Sequence, residues 1–103
     1  TGTHDNTTTA AWETEAHPED VERARAYLHA ADEPLVESFI RAAMASVSNT
    51  AIVPMQDWLG LGGEARMNVP SRPWGNWQWR VEQSAFTPQL AGRIAALTEL
   101  YGR

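Results

Sequence analysis

The chain has 103 residues, room for one domain or less. Its net charge of -5, with eight scattered basic residues, argues against nucleic acid, whose phosphates need clustered Lys and Arg. No Cys is present, which excludes a disulfide framework and thiolate metal sites and fits a reducing, cytoplasmic setting; no apolar run approaches the roughly 20 residues of a membrane span.

Residues 1–16 are polar and rich in Thr, and are expected to form a turn-like entry rather than a regular element. His17-Pro18-Glu19-Asp20 is a helix start, because Pro is tolerated in the first turn and acids favour the positive end of the helix. Val21, Ala24, Leu28 and Ala31 follow helical spacing, giving a helix to about Ala30. Asp32 is the expected cap of a second helix, with Glu33 and Pro34 in its first turn. Val36, Ile40, Ala43 and Val47 then make an apolar stripe flanked by Leu35, Phe39 and Met44.

Ala51 to Met55 is a short apolar run suited to a buried strand, with Pro54 at its end because Pro cannot donate to a ladder. Gln56 to Leu59 should turn once as a helix. Gly60-Leu61-Gly62-Gly63 and most of the chain from Glu64 to Gln83 read as loop. Thr87-Pro88 starts a last helix with Leu90, Ile94, Leu97 and Tyr101 on its buried face, and Gly102 ends it. One strand with flanking helices cannot form a sheet alone, so an α/β protein with further strands is expected. The chain is expected to be a segment of a larger enzyme.

Three runs carry candidate chemistry. Thr1-Gly2-Thr3-His4-Asp5-Asn6 places a His-Asp pair after small residues. Neighbouring strand residues point to opposite faces, but a turn at a strand's end can aim both into one cleft. An Asp there can bind hydroxyls, hold a developing cation or act as a base. The plainer reading makes Asp5 a turn cap and His4 a satisfied polar residue. His17 and His29, the other two histidines, sit in no ligand pattern, so no metal site is read here.

Pro54 to Pro70 runs from the expected strand into a Gly-rich loop bearing Gln56, Asp57, Glu64, Arg66 and Asn68. Such donors and acceptors suit a polyhydroxylated ligand. The loop lacks the Gly-Lys-Ser/Thr ending of a phosphate loop and the glycine pattern of a dinucleotide fold. The alternative is a structural loop in which Arg66 pairs with an acid. In Trp74-Gly75-Asn76-Trp77-Gln78-Trp79-Arg80 the indoles could stack on sugar rings, although large aromatics more often fill a core, and the five Trp residues are expected to supply much of it.

In this order and spacing the three runs resemble the C-terminal part of the amylomaltases and plant disproportionating enzymes, the 4-α-glucanotransferases of glycoside hydrolase family 77. Gly2-Thr3-His4-Asp5-Asn6 is similar to the fourth short signature region of the α-amylase clan. Gln56-Asp57, Gly60-Leu61-Gly62 and Glu64-Ala65-Arg66-Met67-Asn68 with Pro70 resemble the family's active-site loop, and Gly75-Asn76-Trp77 with Trp79-Arg80 its closing motif. The chain departs from the family at Thr7, where an Asp is usual, at Ala11 and Ser71, where Gly is usual or frequent, and at Trp58, which replaces a smaller apolar residue.

The resemblance implies a (β/α)8 barrel, with 1–5 ending the seventh strand, 51–55 forming the eighth and the helices packed outside. Residues 1–103 would be the last part of that catalytic barrel, an incomplete domain that is mainly helical by itself. It implies a retaining double displacement on an α-1,4-glucan, with the glucan passed to a sugar 4-hydroxyl. Asp5 matches the third carboxylate, which binds the 2- and 3-hydroxyls of the reacting glucose. His4 matches the neighbouring donor, with Thr3 beside it. Gly62, Asn68 and Pro70 would line the acceptor side of the cleft, Asn68 making a direct contact. The nucleophilic Asp and the acid/base Glu belong to earlier strands, so these 103 residues alone are expected to be inactive. No cofactor is implied. The expected partners are a maltooligosaccharide or glucan and the rest of the barrel.

Two other readings remain at this stage. A non-catalytic carbohydrate-binding module would use Trp74, Trp77 and Trp79. A helical interaction domain would self-associate through the stripe from Val36 to Val47, since an exposed apolar face seeks cover.

Overall fold

The computed structural model describes residues 1–103 and contains five α-helices and no β-strand. They are α1 (Thr9–Glu15), α2 (Pro18–Leu28), α3 (Leu35–Ala45), α4 (Met55–Trp58) and α5 (Pro88–Leu100), with short 3-10 turns at Gly63–Ala65 and Gln83–Ala85. The central element is α3, against which the other four helices pack.

The first difference from expectation is α1, in a stretch read as a polar entry. Seven residues are too few to be helical alone, and the helix exists through its attachments. The Thr8 hydroxyl accepts from the Ala11 amide at 3.2 Å, Ala11 is buried, and the Trp12 ring meets Phe39 edge-on at 5.7 Å.

The second helix forms as its sequence dictates, with Pro18 at its start and Glu19 and Asp20 in the first turn. It ends without glycine. His29 takes the left-handed conformation, φ 53°, and the amides of His29 and Ala30 bond back to Ala26 and Arg25, the paired closure of a Schellman turn.

Asp32 does not cap α3. The helix starts after Pro34, with no local side-chain cap, and Glu13 of α1 accepts from the Leu35 amide at 3.0 Å instead. Arg25 pairs with the same Glu13 and donates to the Glu33 carbonyl at 3.0 Å. At the other end the Arg103 guanidinium donates to the carbonyls of Met44, Ser46 and Ser48 at 2.7–2.9 Å, filling the acceptors that a helix end leaves open.

Val36, Ile40 and Met44 of α3 form the core with Trp58 of α4, and Leu90, Ile94 and Leu97 of α5 cover it together with Tyr101 at its end. The apolar stripe is thus closed within the chain, except for fully exposed Val47, which lies beyond the helix. Self-association through that stripe loses its basis. Thr87 caps α5 through the Leu90 amide, and Gly102 ends it at φ 67°. Arg93 ties α5 to α3 and α4, donating to Glu37 at 3.0 Å and to the Trp58 carbonyl at 3.1 Å.

The expected strand at 51–55 is not one. Residues 51–54 are extended but unpaired, and α4 begins at Met55. A strand needs a neighbour, and here the one backbone bond to a segment remote in sequence runs from the Thr1 amine to the Ile52 carbonyl at 2.7 Å. Its side chains nevertheless alternate: Ala51, Val53 and Met55 pack against the helical core, while Ile52 is 72% exposed on the other side. The chain is more spread than a closed domain of its length, with a radius of gyration of 14.4 Å against about 13 Å. The expectation that tryptophans fill the core fails as well. Only Trp58 is buried, and Trp74 and Trp77 are exposed.

Candidate functional site

Residues 3–6 close a tight turn rather than ending a strand. The Asn6 amide bonds to the Thr3 carbonyl at 3.1 Å, and the Asn6 side-chain oxygen accepts from the Thr3 amide and hydroxyl at 2.8 and 3.1 Å. Thr3 Oγ1 in turn accepts from the Asp5 amide at 3.3 Å. His4 and Asp5 occupy the two central positions, with His4 Nε2 3.4 Å from Asp5 Oδ1 and both side chains about half exposed.

A loop distant in sequence locks onto this turn. Asn68 Nδ2 donates to Asp5 Oδ1 at 2.7 Å across 63 residues, and the Asn68 amide donates to the His4 carbonyl at 3.1 Å. Arg66 does not pair with an acid. Its Nε donates to the Asn68 carbonyl at 2.8 Å and its Nη2 to the Asp5 carbonyl at 2.7 Å, so one planar guanidinium fixes the spacing of the two segments. Asp5 Oδ2 has no donor within the chain.

Trp77 completes the cluster. Its amide donates to the Met67 carbonyl at 2.7 Å, and its ring lies on His4 with centroids 5.0 Å apart. The backbone here is left-handed, φ 61°, which is an outlier for a bulky side chain. Asn76 supports the loop, accepting from the Val69 amide at 3.0 Å and donating to the Arg72 carbonyl at 2.6 Å. Beside the turn a cleft of about 420 Å³ is lined by Thr3, His4, Ile52, Gln56, Arg66 and Met67, among others.

Of the residues singled out from sequence, Thr3, His4, Asp5 and Asn68 are brought together. No hydrogen bond joins Gly62 or Pro70 to them: Gly62 donates to Glu64 of its own loop, and Pro70 is exposed in a turn closed between Val69 and Arg72. Arg66 and Trp77 were singled out from sequence, but not the contacts they make: Arg66 was expected to pair with an acid and instead binds two carbonyls, and Trp77 packs on His4 with a left-handed backbone for which the sequence gives no signal beyond the preceding Gly75-Asn76.

A half-open carboxylate, an imidazole with a tilted indole packed against it, and a carboxamide fixed alongside are groups that can bind hydroxyls and face a developing positive charge. Residues 1–85 match the family model described as 4-alpha-glucanotransferase. The chain is 44% identical to the 4-alpha-glucanotransferase of Synechocystis sp. over 104 residues, covering all of this chain and 21% of that protein. It is 44% identical to the chloroplastic/amyloplastic 4-alpha-glucanotransferase of Arabidopsis thaliana, covering 99% of this chain and 18% of that one. It superposes on the amylomaltase from Streptococcus agalactiae, a structure in complex with acarbose, with a TM-score of 0.92 and 35% identity over 99% of this chain and 21% of that one. The chain belongs to the 4-alpha-glucanotransferase family, and it spans about a fifth of the length of these relatives.

Proposed function

We propose that this chain is the last part of the catalytic (β/α)8 barrel of a 4-α-glucanotransferase, and that Asp5 is the carboxylate that steadies the reacting glucose. The observation that carries the reading is the bond from Asn68 Nδ2 to Asp5 Oδ1. It orients one carboxylate oxygen and leaves the other to accept sugar hydroxyls. In a retaining displacement the ring passes through an oxocarbenium-like state, and hydrogen bonds to the hydroxyl beside the anomeric carbon strengthen there. His4 donates to the same sugar, with its ring held by Trp77. Thr3 fixes the turn, and Asn68 lies on the acceptor side, with Gly62 and Pro70 shaping the rim.

The nucleophile and the acid/base lie in the remainder of the enzyme, and the chain by itself is inactive. The substrate is a maltooligosaccharide or longer α-glucan, and the remaining barrel covers Ile52. No helix here is long and apolar enough to cross a membrane. The Arabidopsis relative is described as chloroplastic/amyloplastic, so family membership does not assign a compartment; our reading remains cytoplasmic.

The test is disproportionation of maltotriose by the full-length enzyme, wild type against Asp5→Asn. The substitution keeps the shape and removes the charge. We expect glucose release and longer maltodextrins to fall by at least about 100-fold, the scale of losing one preorganised charge-stabilising group. A folded Asp5→Asn enzyme of near wild-type activity would make Asp5 structural. A wild-type enzyme without such products, combined with glucan affinity in the isolated chain, would favour a binding module built on Trp74 and Trp77.

A further inference from the structure

We propose that the adjacent pair Gln56-Asp57 on α4 is the positioning device of the site, setting the His4–Asp5 turn in register with the Arg66–Asn68 loop. The proposal rests on the functional reading above for its effect on catalysis, but not for its structural content.

Asp57 is only 3% exposed, and no Arg, His or amine lies within ion-pair distance of it. A carboxylate buried without a cation is costly and must be satisfied by neutral donors. Those donors come from one segment. Thr9 gives its amide to Oδ1 and its hydroxyl to Oδ2, both at 2.9 Å, and Thr1 gives its hydroxyl to Oδ2. One carboxylate therefore grips the segment on both sides of the turn that presents His4 and Asp5. Its neighbour Gln56 grips the other half of the site, donating from Nε2 to the Ala65 carbonyl at 3.2 Å, immediately before Arg66.

A four-residue helix thus holds the two segments through consecutive side chains. Three hydrogen bonds join those segments at the site, from Asn68 Nδ2, from the Asn68 amide and from Arg66. Each tolerates only a few tenths of an ångström before it weakens. A shift of α4 relative to either segment would move Asp5 against Asn68 without touching the ligand. Neither Gln56 nor Asp57 needs a chemical step in this role.

The experiment is a double-mutant cycle in the full-length enzyme between Asp57→Ala and Asp5→Asn, read as kcat and KM for maltotriose. Amide hydrogen exchange of peptides spanning residues 66–70 is followed in parallel. Leu28→Ala is the control, a destabilising change on α2, which packs on α3 away from α4. We expect Asp57→Ala to lower kcat by about 10- to 100-fold, the cost of misplacing a catalytic group, with KM little changed. Asp57→Ala should add little once Asp5 is already Asn, because it acts through Asp5. Exchange at 66–70 should rise in Asp57→Ala and in Gln56→Leu, and not in Leu28→Ala.

Asp57→Asn should recover most of the lost kcat. Its oxygen still accepts from the Thr9 amide, and the Thr hydroxyls can turn to accept from its amide group. Should Asp57→Ala fail to fold, Thr9→Val serves in the same cycle, since it removes one donor to Asp57 and keeps the backbone amide. Additive losses in the cycle, or unchanged exchange at 66–70, overturn the proposal. A wild-type enzyme that makes no transfer products refutes the glucanotransferase reading alone. The exchange arm then decides the positioning role.

Discussion

Asn68 is the residue through which the candidate site is most sharply tested. Its carboxamide presents a donor to Asp5 at 2.7 Å, a position where a carboxylate cannot sit comfortably. In Asn68→Ala the hydrogen bond is lost and Asp5 stays charged and free to move. We expect about a tenfold fall in kcat/KM for maltotriose, the equivalent of one half-exposed charge-assisted bond. In Asn68→Asp two carboxylates face each other at hydrogen-bond distance. They must share a proton or separate, and like charges this close disfavour joint ionisation. The Asp variant should therefore lose more activity at neutral pH than the Ala variant and regain part of it on acidification. Equal losses at every pH would mean that Asn68 does not face Asp5 in the working enzyme. Each residue stood out in the sequence through its own motif, but the bond between them did not, because it joins segments 63 residues apart. The left-handed backbone of Trp77 was not legible either. Its φ of 61° accompanies a bond to the Met67 carbonyl and a contact with the His4 ring, both with other segments, and the alternation of Trp77 and Trp79 suggested a buried extended face instead.

At the scale of elements, helix starts with local signals were readable and helix ends held from a distance were not. Pro18 and Thr87 announce α2 and α5 because their effects operate within one turn. The start of α3 was misread at Asp32 because its acceptor, Glu13, lies 22 residues away. Just before α3, Glu33 is held by the Arg41 guanidinium and, secondarily, by the Ser38 hydroxyl. These keep its carboxyl below its ordinary value of 4.5. The sign of the pH effect follows. A depressed folded-state value means that the unfolded chain takes up a proton first as pH falls. The stabilisation is thus fully present above the ordinary value and is lost as pH drops through the folded one. We expect thermal melts of the wild-type chain to lose stability below about pH 4.5 and Glu33→Gln to flatten that part of the curve. A Gln variant with an unchanged acid limb would place the titrating groups elsewhere. The contribution is small at best, because the pair is about one-third exposed.

Across the whole molecule, the failed strand is the most instructive mismatch. Ala51 to Met55 carries the composition of a strand and even its two-residue alternation, yet has no partner to pair with. The period was legible because it belongs to the run itself; the lack of a ladder was not, because pairing depends on a second segment, and this chain brings none beside the run. One face of the run, Ala51, Val53 and Met55, is already covered by helices, as in a barrel strand. The other face shows Ile52, 72% exposed and lining the same cleft as His4. In the barrel reading that face looks inward. Judged from this segment alone, Ile52→Glu replaces one exposed side chain by another and should change stability by no more than about 0.5 kcal/mol. On the barrel reading the same substitution in the full-length enzyme buries an unpaired carboxylate, and we expect it to cost at least about 3 kcal/mol. Urea unfolding of the full-length protein, wild type against Ile52→Glu, reads the difference directly. A tolerant full-length enzyme would leave Ile52 facing solvent, and the assignment of 51–55 to an inner barrel strand would have to be abandoned.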